Sequence, residues 1–225
     1  MFHESPILAD LATRRSVRAF LPDPVDAGLI RTILEAAARS PSGNNIQPWR
    51  VHVVTGQARD RLSARLLEAF HADMPWQPEY QYYPPVWREP YLGRRRENGW
   101  SLYRLLGIEK GDKAGAKRQH ARNFAFFGAP VAMFVSVDRD MGQGAWLDTG
   151  MFVQALMIAA RAVGLHSCPQ VALVGYPDIV RDALSIDPDT ILICGISLGY
   201  EDTSHPANQL RTSRVAVDEF AQFHA

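Results

Sequence analysis

Residues 14–20 read Arg14-Arg15-Ser16-Val17-Arg18-Ala19-Phe20, and residues 40–49 read Ser40-Pro41-Ser42-Gly43-Asn44-Asn45-Ile46-Gln47-Pro48-Trp49. The first stretch carries arginines and a serine close enough together to bind a phosphate through charge-assisted hydrogen bonds. The second stretch is a Pro-Ser-Gly-Asn-Asn turn, whose backbone N–H groups and side-chain amides suit a polar planar ligand. Together the two stretches predict a site for a phosphorylated cofactor that carries a ring.

Each stretch also has a plainer interpretation. Taken alone, the arginine cluster is more readily a solvated basic face before a helix, and the second stretch could be an ordinary connection from a helix to a strand. However, Gln47-Pro48-Trp49 continues the turn directly into a strand with restricted and partly apolar residues. A simple loop does not require restricted residues directly before a strand. The two stretches together therefore favour a binding site.

Composition limits the possible classes of protein. At 225 residues and 47% apolar content, the chain is long enough for one domain with a substantial core. A formal net charge of zero favours neither nucleic acid nor an anionic membrane as a partner. The most apolar stretch, residues 151–163, is shorter than the ~20 residues that a membrane span needs. The scattered histidines predict no metal site.

The N-terminal residues lack the basic and apolar regions of a secretion signal, which leads us to expect a cytoplasmic protein. Cys168 and Cys194 are the two cysteines, and no C-x-x-C motif is present. A disulfide between them is possible, but two buried thiols in a reducing compartment are favoured.

Apolar spacing and capping residues predict the secondary structure. Asp26 is a plausible N-cap for a helix that stops before Pro41. We further predict helices at about 58–72, 94–106, 112–125 and 145–163 and from 177, and strands at 51–54, 131–137 and 191–199, with 215–217 as a candidate edge strand. Because these elements do not alternate regularly, the pattern favours an α+β fold over a doubly wound sheet.

Several motifs together make the chain similar to a known family. The combination of R-R-S-x-R-x-F with S-P-S-G-N-N-x-Q-P-W resembles the nitroreductase family of FMN-dependent flavoproteins. Later segments agree in order: Gly128-Ala129-Pro130 before a strand, Gln154-Ala155-Leu156 in a helix, a Cys168-Pro169-Gln170 turn, and Gly199-Tyr200 after the last strand. The resemblance extends over essentially the whole chain.

The resemblance implies a fold, a cofactor and a reaction. The fold would be a single nitroreductase-like domain over residues 1–225, with a central, mostly antiparallel sheet flanked by helices in an intertwined homodimer. The cofactor would be FMN at the dimer interface, with NAD(P)H as co-substrate. The expected reaction is ping-pong reduction of nitroaromatic or related electron-poor compounds. Reductive dehalogenation, enone or quinone reduction, or flavin binding without catalysis remain alternatives.

The resemblance also implies roles for individual residues. The phosphate, ribityl chain and pyrimidine edge of FMN would contact Arg14, Arg15, Ser16 and Arg18. The partner subunit would contribute Pro41, Ser42, Gly43 and Asn45, while Pro169 and Gln170 would lie against the isoalloxazine. From the tail, Arg214 would reach the phosphate and Arg211 could assist. Many relatives have a lysine where this chain has Thr212, so the roles of the two tail arginines stay open.

Residues 73–120 are rich in proline and aromatic residues and are expected to be an ordered excursion that covers the active site. They could equally form a small satellite core or a lid, with a stacking wall for the substrate from Trp100, Tyr103, Phe124 or Phe127. Within the excursion, Arg94-Arg95-Arg96 is more readily a solvated helix start than a contact for the 2′-phosphate of NADPH.

Overall fold

The computed structural model describes residues 5–224. The helices in this range are α1 (Pro6–Thr13), α2 (Ala27–Ala37), α3 (Gly56–His71), α4 (Tyr91–Leu105), α5 (Lys113–Ala121), α6 (Gln143–Ala162) and α7 (Pro177–Leu184). The strands are β1 (Arg50–Thr55), β2 (Val131–Asp138), β3 (His166–Gln170) and β4 (Thr190–Gly199).

The four strands form one antiparallel sheet in the order β1-β2-β4-β3. Strand β2 lies in the interior of the sheet, where Phe134 is paired with Gly195 of β4 and Val53 of β1 with Met133. Nearly every residue of β2 is buried, which matches its continuous apolar sequence because both of its faces are covered. The predicted α+β class with an antiparallel central sheet is confirmed.

Helices cover both faces of the sheet, and each face has its own core. On one face, Ile33 of α2 and Phe152 and Leu156 of α6 pack with Met133 and Ile196. On the other face, the buried cluster includes Leu62, Leu66, Phe124, Phe134 and Leu192. The side chain of Asp26 accepts a hydrogen bond from Leu29 N–H at 3.1 Å, as predicted for the N-cap of α2.

Three sequence predictions were wrong in detail. The Cys168-Pro169-Gln170 turn is part of strand β3, where Pro169 is tolerated because it lies on an edge strand. Residues 215–217 form no strand, and a short 3-10 turn begins at Val217. Helix α5 ends at Ala121 and not at 125; turns follow, and the backbone is left-handed at Phe126 and Phe127.

The segment at 73–120 contains α4 and nearly all of α5. Its irregular first part is joined to the sheet side of the molecule: Gln77 N–H donates to Gly175 O at 2.8 Å, and the Tyr80 hydroxyl donates to Ile193 O. Trp76 Nε1 donates to Ala172 O at 3.2 Å and lies over Gly175, where a Cβ would be only 1.7 Å from that nitrogen. Gly175 therefore permits this close contact.

Within residues 5–224, no helix is long and apolar enough to cross a membrane.

Candidate active site

The arginine-rich segment lies alongside β3 in an extended conformation. Ser16 forms a parallel bridge with Ser167, and Val17 N–H donates to Ser167 O at 3.1 Å. Further along, Phe20 forms an antiparallel bridge with Glu201. Val17 and Phe20 are buried in the core. These contacts attach the predicted phosphate-binding segment to β3, at the edge of the sheet.

Asn208 fixes this segment to the C-terminal part of the chain. Its side-chain oxygen accepts a hydrogen bond from Arg18 N–H at 2.7 Å, and its amide nitrogen donates to Ala19 O and Asp202 O at 2.8 Å. The side chain is almost completely buried, so all three bonds form away from water. Sequence reasoning did not identify Asn208, because its role depends on contacts between residues almost two hundred positions apart.

Arg14 and Arg214 are near enough for their charges to interact. Partial burial lowers the pKa of Arg14, and the positive charge of Arg214 lowers it further. Arg214 donates to Thr212 O and Ser213 O, while Arg211 donates to Asn208 O and Leu210 O. Across residues 5–224, no carboxylate lies within 4.0 Å of these three guanidinium groups. Such a group of like charges is suited to an anion.

Arg15 differs from these arginines because it is paired with a carboxylate. Its Nη2 donates to both oxygens of Glu201, whose side chain is only 4% exposed. The second oxygen of Glu201 lies 3.2 Å from His166 Nε2, and Arg161 Nη1 lies 2.7 Å from the same nitrogen. Burial lowers the pKa of His166, and the charge of Arg161 lowers it too. In the described part of the chain, Arg15 Nε is buried without a hydrogen-bond partner.

Pro169 and Gln170 lie on β3, beside the arginine-rich segment. The Gln170 side chain is buried: its nitrogen donates to Asn123 O and Oδ1, each at 3.1 Å, and its oxygen accepts from the Ser197 hydroxyl. These bonds hold the amide inside the protein. Gln170 could therefore contact a ligand only through its backbone. Pro169 is half-buried.

The second predicted stretch lies against α6. Gly43 N–H donates to Asp148 Oδ2 at 3.1 Å, and the Ser42 hydroxyl accepts from Gln47 N–H at 3.0 Å. Asn44 and Asn45 are left-handed, a conformation that asparagine tolerates better than most residues. Pro41 and Gly43 are exposed, and Ser42 is half-buried. The turn is thus preformed, with an accessible surface.

The two stretches are not joined to each other within this chain. Among residues 5–224, no hydrogen bond or ion pair connects residues 14–18 with residues 41–45.

The four aromatic candidates for a substrate wall separate into two pairs. Trp100 is 43% exposed on α4, with its ring edge-to-face to Tyr103 at a centroid distance of 6.0 Å. Phe124 and Phe127 are buried in the core. The expected contribution of Phe127 does not fit this position, because its ring is enclosed by core residues. Phe124 has the same core position, although it also lines a surface cavity of about 470 Å³ beside Trp76.

A second cavity, of about 690 Å³, lies between α4 and the C-terminal tail. Its charged and amide-bearing lining residues are Arg94, Glu97 and Asn98 from α4 and Arg211, Arg214 and Glu219 from the tail. The lining therefore includes Arg214, whose charge acts on Arg14.

Comparison with known proteins identifies what the chain is similar to. The sequence model of the Nitroreductase family matches residues 11–200. A 4-nitrobenzoate reductase of Pseudomonas putida is 40% identical, over 96% of this chain and 94% of that protein. A nitrobenzene nitroreductase of Ectopseudomonas oleovorans is 37% identical, over 97% of each.

A solved structure has nearly the same fold. The FMN-dependent nitroreductase NfnB from Mycobacterium smegmatis, in complex with NADPH, superimposes with a TM-score of 0.93 at 33% identity, covering 98% of each chain.

Proposed function

The chain belongs to the nitroreductase family, and we propose that it is an FMN-dependent oxidoreductase that reduces nitroaromatic compounds with NAD(P)H. Full-length relatives that reduce nitrobenzoate and nitrobenzene support the reaction. The observation that carries the proposal is the pair of like charges on Arg14 and Arg214, which act on each other while no carboxylate of residues 5–224 lies within 4.0 Å of either. A phosphate dianion would relieve the repulsion between these two cations.

The residues of this chain fit the parts of FMN. Arg14 and Arg214 would hold the phosphate, with Arg18 and the Ser16 hydroxyl beside them. Arg15 has a buried Nε without a hydrogen-bond partner in the described residues, which supports a contact with a polar group of the cofactor. Because Glu201 already compensates its charge, Arg15 would contribute a directed hydrogen bond more than net charge.

When bound, FMN supplies the redox chemistry by accepting a hydride from the nicotinamide and transferring electrons to the nitro group. The chain positions and shields the reactants. Strand β3 would provide the surface for the isoalloxazine through Pro169 and the backbone of Gln170. Trp100 and Tyr103 would stack with an electron-poor ring, and the excursion at 73–120 would limit the entry of water.

We also propose that the active form is a homodimer. The 41–45 turn is preformed, accessible and not bonded to the arginine cluster of its own chain, and the turn of a second copy would complete the site. An apolar face next to this turn supports the proposal: it is lined by Ile7, Leu11, Leu147 and Met151, with Ile7 66% and Leu147 69% exposed. A second copy would remove this surface from water. A cytoplasmic location stays a prediction.

The test is anaerobic mixing of the FMN-loaded protein with each substrate in turn. NADPH or NADH should bleach the visible absorbance of the flavin, and a nitroarene should restore it. Steady-state double-reciprocal plots should be parallel, as expected for ping-pong kinetics. A protein that does not bind FMN would contradict the cofactor assignment, and a flavin that NAD(P)H does not reduce would contradict the reaction.

A further inference from the structure

Arg94 lines the α4 cavity and is not among the residues assigned to FMN. It lies in the first turns of α4, is exposed, and has no carboxylate within 4.0 Å among residues 5–224. Its guanidinium carbon lies 5.8 Å from the centre of the Tyr91 ring, one helical turn earlier. Arg88 approaches the same ring at 5.2 Å. This packing limits the conformations of the Arg94 side chain and orients it for a ligand.

The cavity is larger than the FMN phosphate requires. Arg214 lines this cavity and its charge acts on Arg14, so a phosphate bound there would occupy only part of a space of about 690 Å³. Arg94 from α4 and Arg211 from the tail line the same cavity. Glu97 and Glu219 also line it, but Glu219 Oε1 accepts a hydrogen bond from Ala216 N–H. The arginines therefore outnumber the carboxylates, which favours an anion.

We propose that Arg94, assisted by Arg211, binds the 2′-phosphate of NADPH and makes the enzyme prefer NADPH to NADH. This inference rests on the proposed function. The phosphate and the isoalloxazine are opposite ends of FMN, so a subsite beside the FMN phosphate is distant from the reacting ring. In NADPH the 2′-phosphate is likewise far from the nicotinamide. The carboxylate of a nitrobenzoate, in contrast, lies on the reacting ring itself, and it does not suit so distant a subsite.

The test compares Arg94→Ala, Arg94→Lys and the neighbouring Arg96→Ala, all in the FMN-loaded enzyme. Arg96 is exposed on the same helix but does not line the cavity, so it controls for a general loss of positive charge. We expect Arg94→Ala to lower kcat/KM for NADPH by about tenfold, with NADH unchanged, because a charge-assisted hydrogen bond is lost. Arg94→Lys should restore part of the loss, and Arg96→Ala should resemble the wild type.

Equilibrium dialysis with NADP⁺ and NAD⁺ gives a second readout that does not depend on turnover. Arg94→Ala should weaken NADP⁺ binding and leave NAD⁺ and FMN affinities unchanged. An equal effect on both nucleotides, or none, would overturn the proposal while leaving the proposed function intact. A selective loss of 4-nitrobenzoate over nitrobenzene turnover would assign Arg94 to the acceptor, and a loss of FMN would assign it to the FMN phosphate. Either result would also overturn the proposal.

Discussion

Two groups of arginines in this molecule differ in what neutralises them. Around Glu79, the arginines are paired inside the chain: Arg139 and Arg181 both donate to its carboxylate, which also accepts from Leu192 N–H at 3.1 Å. Beside β3, the charge of Arg214 acts on Arg14, and no carboxylate of residues 5–224 lies within 4.0 Å of either. The positive charges of the first group are balanced by Glu79 without a ligand, whereas those of the second group have no countercharge among residues 5–224.

The difference distinguishes structural arginines from ligand-binding ones. The Glu79 group attaches the excursion to the loop after β2, to α7 and to β4, because Arg139, Arg181 and Leu192 lie in those places. Removing Glu79 should therefore affect folding and leave the cofactor site intact. Removing Arg14 should affect cofactor binding with little loss of stability, because it also relieves a repulsion.

The largest effect should come from Glu79→Gln. The substitution leaves Arg139 and Arg181 without a countercharge, and breaking such a partly buried group should cost about 3 kcal/mol in the free energy of unfolding. Urea denaturation of the FMN-loaded protein measures the change. Glu68→Gln is the matched control, since Glu68 is exposed on α3. Equal stability of the two variants would show that the Glu79 group does not hold the excursion in place.

The Glu79 group should also make stability depend on pH. Burial raises the pKa of Glu79, but hydrogen bonds from Arg139, Leu192 and Arg181 outweigh that effect and lower the pKa below its ordinary value of 4.5. Because the folded pKa is lower, the stabilisation is complete above pH 4.5 and is lost as the pH falls through the folded value. The difference in urea midpoint between wild type and Glu79→Gln should shrink under acid. A constant difference would contradict the assigned cause.

The smallest effect should come from Arg65→Ala, which removes an ion pair with Asp182 on the surface. Both side chains are largely exposed, so water and salt screen the pair. We expect a change of about 0.5 kcal/mol or less in the free energy of unfolding, with no change in FMN affinity. A loss as large as that of Glu79→Gln would mean that burial does not decide which arginine pairs stabilise the fold.

Much of the fold could be predicted from local sequence. The continuous apolar residues of β2 predict a buried strand, and Asp26 predicts the start of α2. Helix α1 was missed because its eight residues are too few for a clear helical period. Strand β3 was mistaken for a turn because Pro169 is a usual turn residue, and only pairing with β4 makes it a strand.

The parts of the candidate site that lie in a short sequence motif could be predicted, whereas those that depend on contacts between distant residues could not. The arginine-rich segment is recognisable as a motif, and in the structure the charge of Arg214 acts on Arg14. The pairing of Arg15 with Glu201 and the role of Asn208 depend on contacts across most of the chain, which no local pattern signals. Gln170 was expected at the cofactor, yet Ser197 and Asn123 hold its side chain in the interior.

The central claim is that the arginines without a carboxylate partner bind the FMN phosphate, and an FMN titration tests it most directly. Quenching of flavin fluorescence gives the Kd for the wild type, Arg14→Ala and Arg65→Ala. The account predicts a Kd about 30-fold higher for Arg14→Ala, since a charge-assisted hydrogen bond to the phosphate is lost. Arg65→Ala should equal the wild type. An unchanged Kd in Arg14→Ala would contradict the assignment of the phosphate to this cluster.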